Sequence, residues 1–166
     1  MPGRIKAGEG SLIGNSGEHY VLAELLKRGI IAAMTPRNTP AFDILATNGK
    51  ESARIRVKTK SEQFKDYQWN LKKDDVIFRY LSRESDFVVL VNIKNSDSRP
   101  DFYIIPTSRV DSWLKGSFRK WVKTPGRHGR RHNPENKKRN LPSGTYERQL
   151  KQYKDKWDSI WQANQR

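Results

Sequence analysis

Between Ala53 and Lys60 the chain reads Ala-Arg-Ile-Arg-Val-Lys-Thr-Lys, so that Arg54, Arg56, Lys58 and Lys60 alternate with Ile55, Val57 and Thr59. Successive side chains of a strand point to opposite faces, and a period of two therefore predicts a strand with one buried face and one basic face. The turn dipeptide Asn48-Gly49 precedes it, and Asp43-Ile44-Leu45-Ala46-Thr47 precedes the turn, which together predict a hairpin. With a loop of two or four residues at Asn48-Gly49, odd positions on the first strand face even positions on the second. Either register places Asp43 on the face that carries Arg54, Arg56 and Lys58. The longer loop sets Asp43 opposite Arg56, with Lys58 as the diagonal neighbour. An odd loop would put Asp43 on the apolar face, where an unpaired carboxylate is costly. The hairpin thus predicts an acid among cations, whatever its use.

The flanking segments predict an α/β (α+β) domain. Residues 1–14 are Gly-rich and polar and read as a loose arm. Asn15 to Arg28 reads as a helix with Asn15 as N-cap, Glu18 as its capping-box partner and Gly29 just past its end. Glu18 precedes Leu22 and Leu25 on the stripe turned toward the sheet. A charge there has two available reasons: it caps the Asn15 N–H, or it points at a metal held by Asp43. Ile30 to Met34 is a short strand ended by the Pro-rich loop Thr35 to Pro40. A short helix is expected over Asp75 to Leu81. Phe87 to Val91 and Phe102 to Ile105 read as apolar strands of the kind buried in a sheet. A helix capped by Ser108 runs to Leu114, followed by a basic loop over 115–141 without periodicity. A closing helix spans 145–163, with Tyr146, Leu150, Tyr153, Trp157, Ile160 and Trp161 at helical steps. No repeat is present, and the length suits a single domain over 1–166.

Lys and Arg number 33 against 18 Asp and Glu, a formal charge of +15. That excess favours a polyanionic partner, nucleic acid first, with DNA the expected form. No apolar run approaches membrane-spanning length, and no basic amphipathic helix with a broad apolar face is evident. The first residues lack the apolar core of a secretory signal, so a cytoplasmic protein is expected, a nucleoid or nuclear site being left open. The absence of cysteine excludes disulfides, thiolate zinc sites and Cys nucleophiles. In the segment Lys115 to Arg139, Arg119, Lys120, Lys123, Arg127, Arg130, Arg131, Lys137, Lys138 and Arg139 face one acid, Glu135. With Arg37 and Lys60 these are the expected nucleic-acid contacts. Phe118 and Trp121 either stack on bases or anchor the loop. His128 and His132 lack a third ligand and read as loop histidines, and Trp113, Trp157 and Trp161 read as core.

The runs Gly14-Asn15-Ser16-Gly17-Glu18, Phe42-Asp43-Ile44-Leu45-Ala46 and Ile55-Arg56-Val57-Lys58-Thr59 resemble the PD-(D/E)XK, or restriction-endonuclease-like, superfamily. The resemblance is to the subgroup that includes archaeal Holliday-junction resolvases, and it covers residues 15–60. It implies a mixed central sheet flanked by helices in αβββαβ order. It implies Asp43 and Glu18 as metal ligands with Val57 supplying backbone, Lys58 as catalytic lysine, and Mg²⁺ or Mn²⁺ as the cofactor. Homodimers are a further expectation by analogy with such nucleases. The pattern departs from the family at Arg56, which stands where Glu or Gln is usual. A guanidinium cannot bind a metal, so Arg56 either contacts phosphate or pairs with Asp43. The sequence therefore predicts a metal-dependent DNA endonuclease. Its rivals are a protein of the same fold that binds nucleic acid without cutting it, and a basic RNA-binding factor of unrelated α/β fold.

Overall fold

A computed structural model describes residues 10–37, 39, 41–71, 76–81 and 83–162. Its first element is a helix, α1 (Gly10–Lys27), followed by the strands β1 (Ile31–Met34), β2 (Ile44–Thr47), β3 (Ser52–Lys60), β4 (Asp66–Asn70), β5 (Asp86–Asn92) and β6 (Asp101–Pro106). Then come α2 (Thr107–Lys123), β7 (Lys138–Pro142), α3 (Glu147–Lys151) and α4 (Ser159–Gln162). A five-stranded sheet has the order β1-β2-β3-β5-β6, and β4 pairs with β7 as a second, two-stranded sheet. Only β3 and β5 run parallel within the larger sheet; its other pairs are antiparallel. The mixed sheet with flanking helices is the expected class.

Periodicity explains the layers. Ile55 and Val57 turn to one face, where Val21 and Leu25 of α1 and Trp157 and Ile160 near the C-terminus complete a buried cluster. Val88, Leu90 and Ile105 turn to the other face and pack on Val110 and Leu114 of α2 and on Tyr67, Trp69 and Leu141. The first six residues of β5 are buried, as a strand between two covered faces requires.

Several elements depart from expectation. The helix does not begin at Asn15: it already runs from Gly10, so Asn15 is interior and its carbonyl bonds His19 Nδ1 at 2.7 Å. The capping-box role of Glu18 falls with it. Extending a formed helix costs far less than nucleating one, and Gly10 and Gly14 do not stop it. Of the expected arm, residues 1–9 lie outside the described residues. Of the helix expected over Asp75 to Leu81, Asp75 lies outside them and 76–81 form bends and turns. The described residues between β3 and β5 hold β4 instead, whose alternating Tyr67 and Trp69 carry a strand period.

α2 continues past Leu114 to Lys123, because Val110, Leu114, Phe118 and Trp121 keep one stripe at steps of four and three. Pro106 and not Ser108 precedes its first turn, and Thr124 closes it through N–H bonds to Lys120 and Trp121 carbonyls. The closing helix is split. Asp155 adopts φ 53°, the Ile104 N–H bonds the Tyr153 carbonyl at 3.0 Å, and the Asp155 N–H bonds the Phe102 carbonyl at 2.9 Å. The chain leaves helical geometry there to satisfy the open edge of β6.

Candidate active site

Asp43 lies just before β2, and its N–H bonds the Ile55 carbonyl at 2.9 Å. Ile44 faces Ile55 and Thr47 faces Ser52, so the loop is the four-residue form and Asp43 falls opposite Arg56. The turn is built from side chains as well as backbone. Asn48 Oδ1 accepts the N–H groups of Lys50 and Glu51, and Gly49 takes φ 89°. The Asp43 carboxylate accepts the Val57 N–H at 2.7 Å through Oδ2, and Arg56 Nε stands 3.6 Å from the same oxygen. That last distance is an ion pair without a hydrogen bond.

Glu18 reaches Asp43 because α1 lies close on β3. A Cβ on Gly17 would overlap Thr59 Oγ1 and come within 2.8 Å of Cγ2 and 2.9 Å of Cβ. Only glycine lets the helix sit at this depth, so the residue before Glu18 sets how near its carboxylate comes to the sheet. Burial, and then the negative charge of Asp43, push the Glu18 carboxyl above its ordinary value; Arg56, His19 and Arg37 pull the other way. Glu18, His19, Met34, Arg37 and Asp43 line one cleft of about 310 Å³. His19 is a wall residue that sequence reasoning missed. Its signal was adjacency to Glu18 on an exposed turn of helix.

Lys58 shares the Arg56 face of β3. Burial and Arg56 lower its ammonium pKa, while Asp43 raises it. Its Nζ lies 5.5 Å from the Trp69 ring centre. Glu18, Asp43, Arg56 and Lys58 are therefore linked: Asp43 and Arg56 each act electrostatically on both Glu18 and Lys58. Val57 joins them through its N–H, which is committed to Asp43.

The remaining basic positions of β3 serve the fold. Arg54 grips Asp86 with Nε at 2.7 Å and Nη2 at 2.8 Å, and Asp86 is fully buried. Lys60, expected to face nucleic acid, is 8 % exposed; its Nζ donates to the Phe64 carbonyl at 2.9 Å beside the Tyr67 ring. β4 covers that end of the strand, and Lys60 is withdrawn from the surface set.

The expected basic loop consists of three parts. Arg119, Lys120 and Lys123 are exposed on α2, Arg127, Arg130 and Arg131 are exposed in the connecting turns, and Lys137 precedes Lys138 and Arg139 of β7. Phe118 and Trp121 anchor this segment. Arg139 covers the Phe118 ring at 3.4 Å, Phe118 stacks on Trp121 with centres 5.6 Å apart, and His132 stacks on Trp121 at 4.0 Å. Arg37 stands apart from these, in the cleft with Glu18. No helix among the described residues is long and apolar enough to cross a membrane.

Neither a family model nor a curated protein sequence matches the chain. Solved structures do. The chain is similar to a bacterial homing endonuclease at 18% identity, over 92% of this chain and 91% of that one, with a TM-score of 0.52. It also aligns with a Holliday junction resolvase from the archaeal hyperthermophile Archaeoglobus fulgidus at 18% identity, over 81% and 87% of the two chains, with a TM-score of 0.42. The order of strands, the placement of α1 over β3 and the likeness to the homing endonuclease agree: the chain has the restriction-endonuclease-like fold.

Proposed function

We propose that this protein is a divalent-metal-dependent DNA endonuclease, with Glu18 and Asp43 as the metal-binding carboxylates and Lys58 as the lysine of the reaction. The observation that carries the reading is the shared cleft. Two carboxylates from separate elements line it, and the negative charge of Asp43 raises the cost of ionising Glu18, which is the electrostatic condition a cation relieves. Among the described residues no group of three or more His, Asp or Glu side chains gathers to hold a metal. Two carboxylates suit Mg²⁺ nonetheless, because it keeps several waters and takes one or two protein oxygens. Asp43 spends Oδ2 on Val57, and Oδ1 would be the ligand. When bound, the ion polarises the phosphoryl oxygen and acidifies a water.

The chain's own residues supply the rest. Lys58, its ammonium pKa lowered by burial, orients the attacking water or stabilises charge that develops on the phosphate. Arg56 holds a phosphate oxygen, its loose contact with Asp43 leaving the guanidinium able to turn outward. The exposed cations of α2, the connecting turns and β7, with Arg37, hold the backbone of the nucleic acid.

One observation favours a second reading. Arg56 lies close enough to neutralise Asp43, and a protein that binds DNA without cleaving it would use the pair in that way. Incubation with supercoiled and branched DNA in Mg²⁺, Mn²⁺ or EDTA separates the two. Metal-dependent cleavage that Asp43→Ala and Lys58→Ala abolish supports the enzyme. If wild type cuts nothing and Arg56→Glu creates Mn²⁺ binding, the second reading replaces the first. Cleavage undiminished in Lys58→Ala removes both, since each places Lys58 in this site.

A further inference from the structure

On the face of the sheet opposite α1, a cleft of about 470 Å³ opens between α2 and the β4–β7 ribbon, within the size of a small-ligand site. We propose that it receives one unpaired nucleobase, with Lys120 and Lys138 on the flanking phosphates. Phe118, Lys120, Trp121, Asn136, Lys138 and Asn140 are the wall residues on which this rests. The inference builds on the reading that nucleic acid is the partner, and it names the form of that partner; it does not depend on cleavage.

The wall has the three kinds of group that a nucleotide needs. Its apolar part is the Phe118–Trp121 pair, and those rings are already fixed. Arg139 covers Phe118 and His132 stacks on Trp121, so the pair is held rigid before any ligand arrives. Ring edges are electropositive and meet the π-face of another ring in a T-shaped contact, so a planar base fits against them without displacing Arg139 or His132. The polar part is the amides of Asn136 and Asn140, groups that carry both donors and acceptors, as a base edge requires, with Asn136 Oδ1 already accepting the Lys138 N–H at 2.8 Å. Asn140 Oδ1 is buried and has no hydrogen-bond partner, so its amide must turn to offer that acceptor to a base. The charged part is the two exposed ammonium groups, from the most basic stretch of a chain with a formal charge of +15, which outnumber the one half-buried carboxylate of the wall, Asp66. A paired base cannot enter, because both its faces are stacked and its Watson–Crick edge is paired in the duplex. The geometry therefore points to a bulged, flipped or single-stranded nucleotide.

Fluorescence anisotropy in EDTA at fixed salt tests this with three DNAs: a fully paired duplex, the same duplex with one bulged nucleotide, and the same bulge lacking its base. The bulge with its base is expected to bind about tenfold more tightly than the other two, the weight of one well-held base. Ser117→Trp, at a half-buried position of α2 where the added ring fills the cleft, and Asn140→Leu are each expected to erase that preference. Both should keep affinity for the paired duplex within about twofold, since the phosphate contacts are untouched. Equal binding to the bulges with and without the base overturns the proposal, as does a preference that survives in folded Ser117→Trp. Preference without any cleavage under Mg²⁺ leaves the cleft standing and removes the endonuclease reading. Cleavage without preference removes only the cleft, and no binding to any of the three DNAs removes both.

Discussion

Arg54 and Arg56 stand two residues apart on one face of β3, and each faces a carboxylate, yet the two pairs are built differently. Asp86 is fully buried, receives two hydrogen bonds from Arg54 and a third from the Arg83 N–H at 2.8 Å. Its charge is fully answered, and nothing is left to bind a further group. Asp43 receives one backbone N–H, and its arginine stands at 3.6 Å with its side chain 36 % exposed. Glu18 adds a second negative charge beside it. A closed pair specifies structure, because breaking it strands a buried charge. An open pair next to a like charge is poised for a third partner. The difference between the two arginines is thus the difference between a structural and a functional use of the same chemistry.

The largest expected effect breaks the closed pair. Asp86→Ala leaves Arg54 largely buried without its counter-charge and should cost about 3–5 kcal/mol, read as a lower urea midpoint with unchanged slope. Asp43→Ala should cost under about 1 kcal/mol in the same assay while abolishing metal-dependent cleavage. If the two variants unfold at the same urea concentration, the contrast between open and closed pairs fails.

Gly17→Ala comes next. The added methyl meets Thr59 and must shift α1 or the strand, at about 1–3 kcal/mol, and it moves Glu18 away from Asp43. Adding Thr59→Ala removes two of the three clashing atoms and should restore at least half of both stability and cleavage. A helix that accepts alanine without loss would show that Gly17 does not set the position of Glu18.

The open half of this comparison was legible in the sequence and the closed half was not. Parity across a short hairpin is a local rule, so the placement of Asp43 on the face of Arg54, Arg56 and Lys58 follows from residues 43–60 alone, while the four-residue loop that sets it opposite Arg56 is read from the structure. The partner of Arg54 lies 32 residues away, and no local pattern marks Asp86. The same reason hid the β4–β7 ribbon, which joins residues 66–70 to 138–142 and withdraws Lys60 from the surface. Gly17 was visible, but its meaning depended on Thr59 lying beneath it. The extension of α2 was missed for another reason: its stripe continues through Phe118 and Trp121, and the dense charges between them obscured it.

A smaller effect separates Arg56 from Arg54 directly. Arg56→Ala should change stability by less than about 0.5 kcal/mol, as for a loose, half-exposed ion pair without a hydrogen bond. It should lower cleavage about 10- to 100-fold by losing a phosphate contact that strengthens in the transition state. Cleavage that rises in Arg56→Ala would mean that the arginine competes with the metal for Asp43 and does not hold the substrate.

The smallest effect concerns Glu18 and is read from pH. Burial and Asp43 raise its folded-state pKa above the ordinary 4.5, so the folded protein binds this proton more tightly than the unfolded chain does. The stability that protonation contributes is full below 4.5 and is lost as pH rises through the folded value. Glu18→Gln removes an ionisation that the fold resists, and the variant should melt higher than wild type at neutral pH. The gain should be about 1 °C, since Glu18 is partly exposed and solvent screens it. It should shrink as pH falls and vanish below the ordinary carboxylate range. Millimolar Mg²⁺ at neutral pH should raise the melting temperature of wild type more than that of the variant, closing the gap from the other side. A gain equal at both ends of the pH range would mean that shape, and not charge, distinguishes the two side chains. A gain that Mg²⁺ leaves unchanged would separate Glu18 from any metal at Asp43.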